Sequence, residues 1–335
     1  MAPMPQLSSL WTQAFPPKPH FTEASLPDLQ GKVYLITGAN TGIGKDLARI
    51  LYSKNARVYM AARSRERAEA AMEDIKRTAP GSKGDLIFLL LDLGDLSTIR
   101  GTAEEFTARE SRLHVLFNNA GMQSTETQKP LQTTPQGYEV QLGVNVMGPF
   151  LLTKLLTPTL VETARRTESA AASVRVVWVS SSGAELLGEE GVGLPLDNLD
   201  YHVPRTAMQR YGLSKAGSWL HGVEFARRYR AQGVVSIPLN PGNLNSDLYR
   251  GRGPLAHLVI RAVTYPTLNG AYTELFAGLS PEVTMDHSGE WVVPFGRFLP
   301  IRRDLQLAAR TEAEGGNGHA EQFWEWTEKQ VAPFC

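Results

Sequence analysis

Tyr211 and Lys215, in the stretch Tyr211-Gly212-Leu213-Ser214-Lys215, are the pair of side chains in this sequence best suited to moving a proton. Four residues is just over one helical turn, so on a helix the phenol and the ammonium project from one face. A phenol has an unperturbed pKa of about 10 and is a poor acid or base near neutrality. A cation held beside it favours the phenolate and brings the group towards the range of a general acid–base catalyst. The same spacing also occurs in helices that do no chemistry, as a part-buried tyrosine beside a solvated lysine, so the pattern needs a context.

The elements around the pair supply that context. From Lys32 onward, short apolar β-rich runs alternate with helical patterns, with no internal repeat. Strands are predicted over residues 33–37, 57–62, 85–91, 113–117, 174–179 and 234–239, and helices over 43–53, 65–77, 97–109, 136–160, 210–230 and 320–331. Pro149 marks a kink or a boundary in the long fourth helix. Residues 163–173 read as a polar surface loop, and 183–206 as a long connection rich in Gly, Glu and Pro. Apolar strands alternating with helices imply an α/β fold with a doubly wound parallel sheet, the Rossmann arrangement. The expected organisation is a single domain: an N-terminal arm (1–30), a nucleotide-binding catalytic region (31–246) and a substrate-covering C-terminal extension (247–335).

Composition removes several function classes. The 34 basic and 34 acidic residues balance, and no run of Lys and Arg could track phosphates, which argues against a nucleic-acid partner. The only cysteine is Cys335, the last residue. An intramolecular disulfide and a cysteine-based metal site are therefore excluded, and a reducing, cytoplasmic compartment is expected. The seven histidines show no metal-ligand spacing, so no metal is expected. Leu7, Leu10, Trp11 and Phe15 stand among Pro, Ser and Gln, with no basic start and apolar run of a secretory signal. No apolar stretch approaches the ~20 residues that span a bilayer. The arm is expected to pack on the domain, with contact to a membrane surface as the alternative.

Gly38, Asn40, Thr41, Gly42, Ile43 and Gly44 lie between the first strand and its helix. Glycines there permit a tight turn and let backbone N–H groups approach a pyrophosphate at the helix N-terminus. In NAD sites a carboxylate about 20 residues further on binds the ribose 2′-hydroxyl, whereas an arginine accommodates a 2′-phosphate. Here the second strand ends on Ala62, and Arg63 follows. That favours NADP(H), with Arg63 as the main 2′-phosphate ligand assisted by Ser64.

The Gly-x-x-x-Gly-x-Gly turn, Tyr211-x-x-x-Lys215 and the order of the motifs between them resemble the standard branch of the short-chain dehydrogenase/reductase superfamily. The resemblance covers roughly residues 32–246. It implies a catalytic set of Asn145, Ser181, Tyr211 and Lys215, with Ser180 and Ser182 as rivals for the serine. It further implies an adenine contact at Asp92, a sheet-stabilising and ribose-lining role for Asn118 in Asn118-Asn119-Ala120-Gly121, and a nicotinamide turn at Asn240-Pro241-Gly242. Ser246 stands where the family usually has threonine. Tyr211 and Lys215 would also contact the cofactor.

The long segment before Tyr211 is similar to retinol-dehydrogenase-like members, and the arm and tail to fungal members, many of which act in secondary metabolism. The resemblance implies carbonyl–alcohol interconversion on a hydrophobic small molecule, with the apolar run 248–265 as a pocket wall. Family members often dimerise through the helices bearing Asn145 and Tyr211, so a homodimer is an expectation. A catalytically silent NADP(H)-binding regulator or interaction protein is the alternative. An epimerase or dehydratase of the extended branch is disfavoured by the glycine spacing.

Overall fold

The computed structural model describes residues 6–125, 130–166, 172–245 and 264–335. Its sheet has eight strands in the order β3-β2-β1-β4-β5-β6-β7-β8. They are β1 (Val33–Thr37), β2 (Arg57–Ala62), β3 (Asp85–Leu90), β4 (Val115–Asn118), β5 (Val174–Val179), β6 (Val234–Leu239), β7 (Val292–Val293) and β8 (Arg297–Phe298). The first seven pair in parallel and β8 returns antiparallel. The chain crosses back from β3 to place β4 beside β1, and that reversal opens a crevice at the carboxyl ends of these strands.

The helices are α1 (Leu7–Ala14), α2 (Gly42–Ser53), α3 (Arg65–Thr78), α4 (Leu96–Arg109), α5 (Val140–Arg166), α6 (Ser182–Leu187), α7 (Ala207–Tyr229), α8 (Thr267–Leu279), α9 (Arg303–Ala309) and α10 (His319–Val331). Apolar residues of β1, β4, β5 and β6 alternate between two core layers. Leu35, Leu116 and Val176 pack under α4, α5 and α7, while Ile36, Phe117 and Val177 pack under α2 and α8. Burial on both faces is the reason these strands read as continuous apolar runs.

Four differences from the expected elements have local causes. The long helix starts at Val140, where the Glu139 side chain accepts from the N–H groups of Gln141 and Leu142. Pro149 does not end it, because a π-helical turn at Gly143–Met147 precedes the proline. The expected loop at residues 163–173 is helical through Arg166: Thr163 donates to the Thr159 carbonyl and accepts from Leu113 N, and residues 167–171 lie outside the described residues. The long connection before Tyr211 contains α6 and a 3-10 turn at Leu196–Asn198.

α5 meets the length and composition of a membrane-crossing helix, which the expectation of no such stretch had missed. However, 72% of its apolar window is buried in this fold, so it serves here as a core helix. α10 covers the outer face of α5 and α7. Phe323 and Trp324 stack around His221 and Phe150, and Lys154 pairs with Glu328 at 2.5 Å. The chain's own C-terminal helix thus packs on the two helices that bear Asn145 and Tyr211. The wall residues 248–263 and Ser246 lie outside the described residues.

Candidate active site

At the end of β1 the backbone turns through Gly38 and Gly42, at φ +69° and +56°. A Cβ on Gly44 would lie 2.5 Å from Asn119 Nδ2 and 2.8 Å from the Gly38 carbonyl, so only glycine fits there. Asn119 Nδ2 donates to the Thr37 carbonyl at 2.7 Å, and Ala120 N donates to Thr37 Oγ1 at 2.9 Å, tying the turn to the end of β4. The first turn of α2 holds no acidic residue, and Thr41 makes no side-chain cap. A Cβ on Gly42 would meet nothing within 4 Å. The positive end of α2 therefore presents N–H groups to open space, which fits the phosphates of a dinucleotide.

Beside this turn lies a hollow of about 250 Å³ lined by Asn40, Thr41, Lys45 and Arg67. Sequence reasoning missed Lys45 and Arg67. Their signal was two cations set one turn into the helices that flank the glycine turn. Arg63 follows β2 exposed, with no hydrogen bond or ion pair among the described residues. Ser64 Oγ accepts from Arg67 N at 3.3 Å and caps α3, which leaves its hydroxyl proton to donate. Ile43 reaches the larger cavity described below.

Asp92 Oδ1 accepts from Gly94 N at 2.9 Å and shapes the turn after β3. The Asn118 side chain is buried, and Nδ2 donates to Thr153 Oγ1 on α5 at 2.8 Å. It ties sheet to helix, while Asn119, Ala120 and Gly121 line the crevice edge.

Asn145 sits in the π-helical turn, a distortion often found at functional sites. Its Oδ1 accepts from Met122 N at 2.8 Å, and its Nδ2 donates to the Met122 carbonyl and to Ser214 Oγ, each at 2.9 Å. A Cβ on Gly121 would lie 2.9 Å from Lys215 Nζ and 3.4 Å from Asn145 Oδ1. The asparagine and the lysine thus border one small space that glycine leaves open.

The serine triplet separates by direction. Ser180 is buried, with Oγ donating to the Lys215 carbonyl at 2.6 Å. Ser181 Oγ accepts from Gly183 N at 3.1 Å, which leaves its proton available to a ligand. Ser182 opens α6. A Cβ on Gly183 would be 3.5 Å from Ser181 Oγ and 3.7 Å from the Tyr211 ring, so these two groups flank the same glycine. Lys215 Nζ donates to the Val179 carbonyl at 2.9 Å and lies 5.8 Å from the centre of the Tyr211 ring. The opening pair of residues therefore shares one face of α7, at the ends of β5 and β6.

Glu274, which sequence reasoning missed, faces this region from the other side of the sheet. It sits on α8 between Gly270, packed on Leu244 and Ile43, and Gly278, packed on Phe117. Both its carboxyl oxygens are buried without a hydrogen-bond partner among the described residues. Burial raises its pKa and Lys215 opposes the rise, while burial lowers that of Lys215 itself. The folded chain thus holds a proton on Glu274 that the unfolded chain releases above the ordinary value of 4.5. Stability from this group is present at low pH and falls as pH rises towards the raised value. Glu274→Gln is expected to gain stability over the native chain between about pH 5 and 7, by up to about 1.4 kcal/mol per pH unit. Paired melting curves across that range check it; parallel curves would contradict it.

Ser181, Ser182, Tyr211, the turn at Asn240–Gly242 and Tyr265 line one cavity of about 700 Å³, with Leu10, Phe15, Leu186 and Met208 adding apolar surface. The model of the short chain dehydrogenase family matches residues 32–191. The short-chain dehydrogenase/reductase bet4 of Neocamarosporium betae is 53% identical over 98% of this chain and 94% of its own length. A short-chain dehydrogenase/reductase of Phomopsis amygdali is 53% identical over 98% of each chain. Among solved structures, an NADPH-bound carbonyl reductase from chicken fatty liver shares the fold at a TM-score of 0.61, with 20% identity over 81% of this chain and 99% of its own. With the glycine turn, the parallel sheet and full-length similarity at 53% identity, this chain belongs to the short-chain dehydrogenase/reductase family of oxidoreductases.

Proposed function

We propose that this chain is an NADP(H)-dependent oxidoreductase that interconverts a carbonyl and an alcohol on a hydrophobic small molecule. The observation that carries the reading is the convergence of Ser181 and Tyr211 on one apolar-walled cavity, with Lys215 Nζ 5.8 Å from the phenol ring. NADP(H) would be held by the Gly38–Gly44 turn, Arg63, the Asn119–Gly121 edge, Lys215 and Ser246, with Lys45 and Arg67 near the 2′-phosphate. When bound, it supplies the hydride chemistry.

The chain's own residues do the rest. Ser181 donates a hydrogen bond to the carbonyl oxygen, and the Tyr211 phenol gives that oxygen its proton. Lys215 holds positive charge beside the phenol. Asn145, fixed on Met122 and Ser214, borders the space where a water can link Lys215 to solvent. The similarity to fungal relatives supports a place in secondary metabolism, and the lone terminal cysteine supports a cytoplasmic setting.

NADPH and NADH titrations followed by nucleotide fluorescence, then turnover of a panel of apolar ketones and aldehydes, test the reading. Arg63→Ala is expected to weaken NADPH binding by about tenfold or more and leave NADH binding unchanged, as loss of a charge-assisted phosphate contact requires. Equal loss for both nucleotides would refute the assigned role of Arg63. Binding without turnover across the panel would favour the silent regulator.

A further inference from the structure

α1 is amphipathic in an inverted sense. Its buried residues are the polar Ser9 and Gln13, while Leu7 and Trp11 are 84% and 67% exposed. A helix that only needed anchoring would bury its apolar stripe. Gln13 instead uses both ends of its amide inside the protein. Nε2 donates to Glu185 Oε2 at 2.7 Å and to Ser9 Oγ at 3.2 Å, and Oε1 accepts from Asn240 Nδ2 at 2.9 Å.

Asn240 lines the cavity, and Glu185 lies behind it on an element that does. Glu185 lies on α6, the helix that Ser181 caps, and it is 1% exposed. Its carboxylate also receives Trp291 Nε1 at 3.3 Å and Arg302 N at 3.0 Å. Asn240 starts the turn beside the cavity, and its Oδ1 accepts from Gly242 N at 3.1 Å. The docked helix lays Leu10, Ala14 and Phe15 along the cavity, opposite Leu186 and Met208. An eight-residue helix is not stable alone in water, so its shape depends on this docking.

We propose that α1 is the specificity-determining wall of the substrate cavity and that Gln13 is the positioning residue that holds it there. The wall favours extended apolar carbonyl compounds, whose chain lies against Leu10 and Phe15. This rests on the carbonyl–alcohol reading above. Replacing Gln13 by Met keeps its length but leaves a buried carboxylate and a buried amide short of partners, which disfavours docking. The core strands make no use of that amide.

The test uses the full chain with NADPH and a series of methyl ketones from butanone to 2-undecanone. In the native chain each methylene buried against α1 is expected to improve kcat/KM by up to about fourfold. Gln13→Met and Leu10→Ala should flatten that dependence on chain length. Hydrogen exchange over residues 7–14 should quicken at least about tenfold in Gln13→Met, with β1 and β4 unchanged. The same dependence is read in ketone dissociation constants, by quenching of tryptophan fluorescence, so an absence of turnover is separated from an absence of the wall. A slope that Gln13→Met leaves intact, or no length dependence in either turnover or binding, overturns the proposal.

Discussion

Tyr211→Phe is expected to lower carbonyl turnover by about 10²–10⁴-fold, the range a positioned general acid contributes, while NADPH binds with close to native affinity. The substitution removes one oxygen and keeps the ring, so the wall of the cavity beside Gly183 retains its shape. Lys215 keeps its hydrogen bond to the Val179 carbonyl, and Asn145 keeps Met122 and Ser214. Ser181 still offers its proton, so a carbonyl group can dock but receives no proton from the phenol. Steady-state kinetics and nucleotide titration on the same preparation separate the two effects. Undiminished turnover would remove Tyr211 from the mechanism; lost NADPH binding would show that its role is structural.

Arg175→Met is expected to cost about 3–5 kcal/mol of stability, because several buried carbonyls lose a charge-assisted donor at about 1–3 kcal/mol each. Arg175 is 4% exposed on β5 and has no carboxylate partner among the described residues. Its guanidinium donates to the carbonyls of Ala172 at 2.7 Å, Ala277 at 3.0 Å, Ser280 at 2.8 Å and Val283 at 3.1 Å. Three of these lie at or beyond the last turn of α8, where carbonyls have no partners within the helix. The negative end of the helix dipole favours the cation that closes it. Burial draws the arginine pKa down to about 10, still far above neutrality, so the group stays charged.

Methionine fills part of the space and takes that donor from the carbonyls of Ala172, Ala277 and Val283, while the Ser280 carbonyl keeps Val283 N at 3.2 Å. Because α8 also carries Glu274 and rests on Pro241 through Thr273 Oγ1, loss of this clamp should loosen the site before the sheet. Urea unfolding monitored by circular dichroism gives the cost. Arg166→Met, which breaks an exposed pair with Glu162, should change stability by less than about 1 kcal/mol and serves as the control. Equal midpoints for the two variants would refute the clamp.

The strands bearing the site were legible because physics writes them locally. Residues 57–62, 174–179 and 234–239 are buried on both faces or nearly so, and their apolar runs end where the strands end. The glycine turn was legible for a similar reason: Gly38 and Gly42 take positive φ, and Gly44 is crowded by Asn119 and Gly38. β7 and β8 were not legible. Two-residue strands have no periodicity, and they form only because β6 leaves an edge to pair.

By itself the sequence determined the α/β alternation, the glycine turn and the helical spacing of Tyr211 and Lys215, all set by contacts within a few residues. The tertiary structure decided which way each polar side chain points. It turned Ser180 and Asn118 into the interior and left Ser181 facing the cavity. It also brought Gln13 to Asn240 across 227 residues and buried Glu274 within electrostatic reach of Lys215. The reason is that a hydrogen bond in a closed interior depends on partners supplied by distant elements. No local pattern along the chain encodes which of them will arrive.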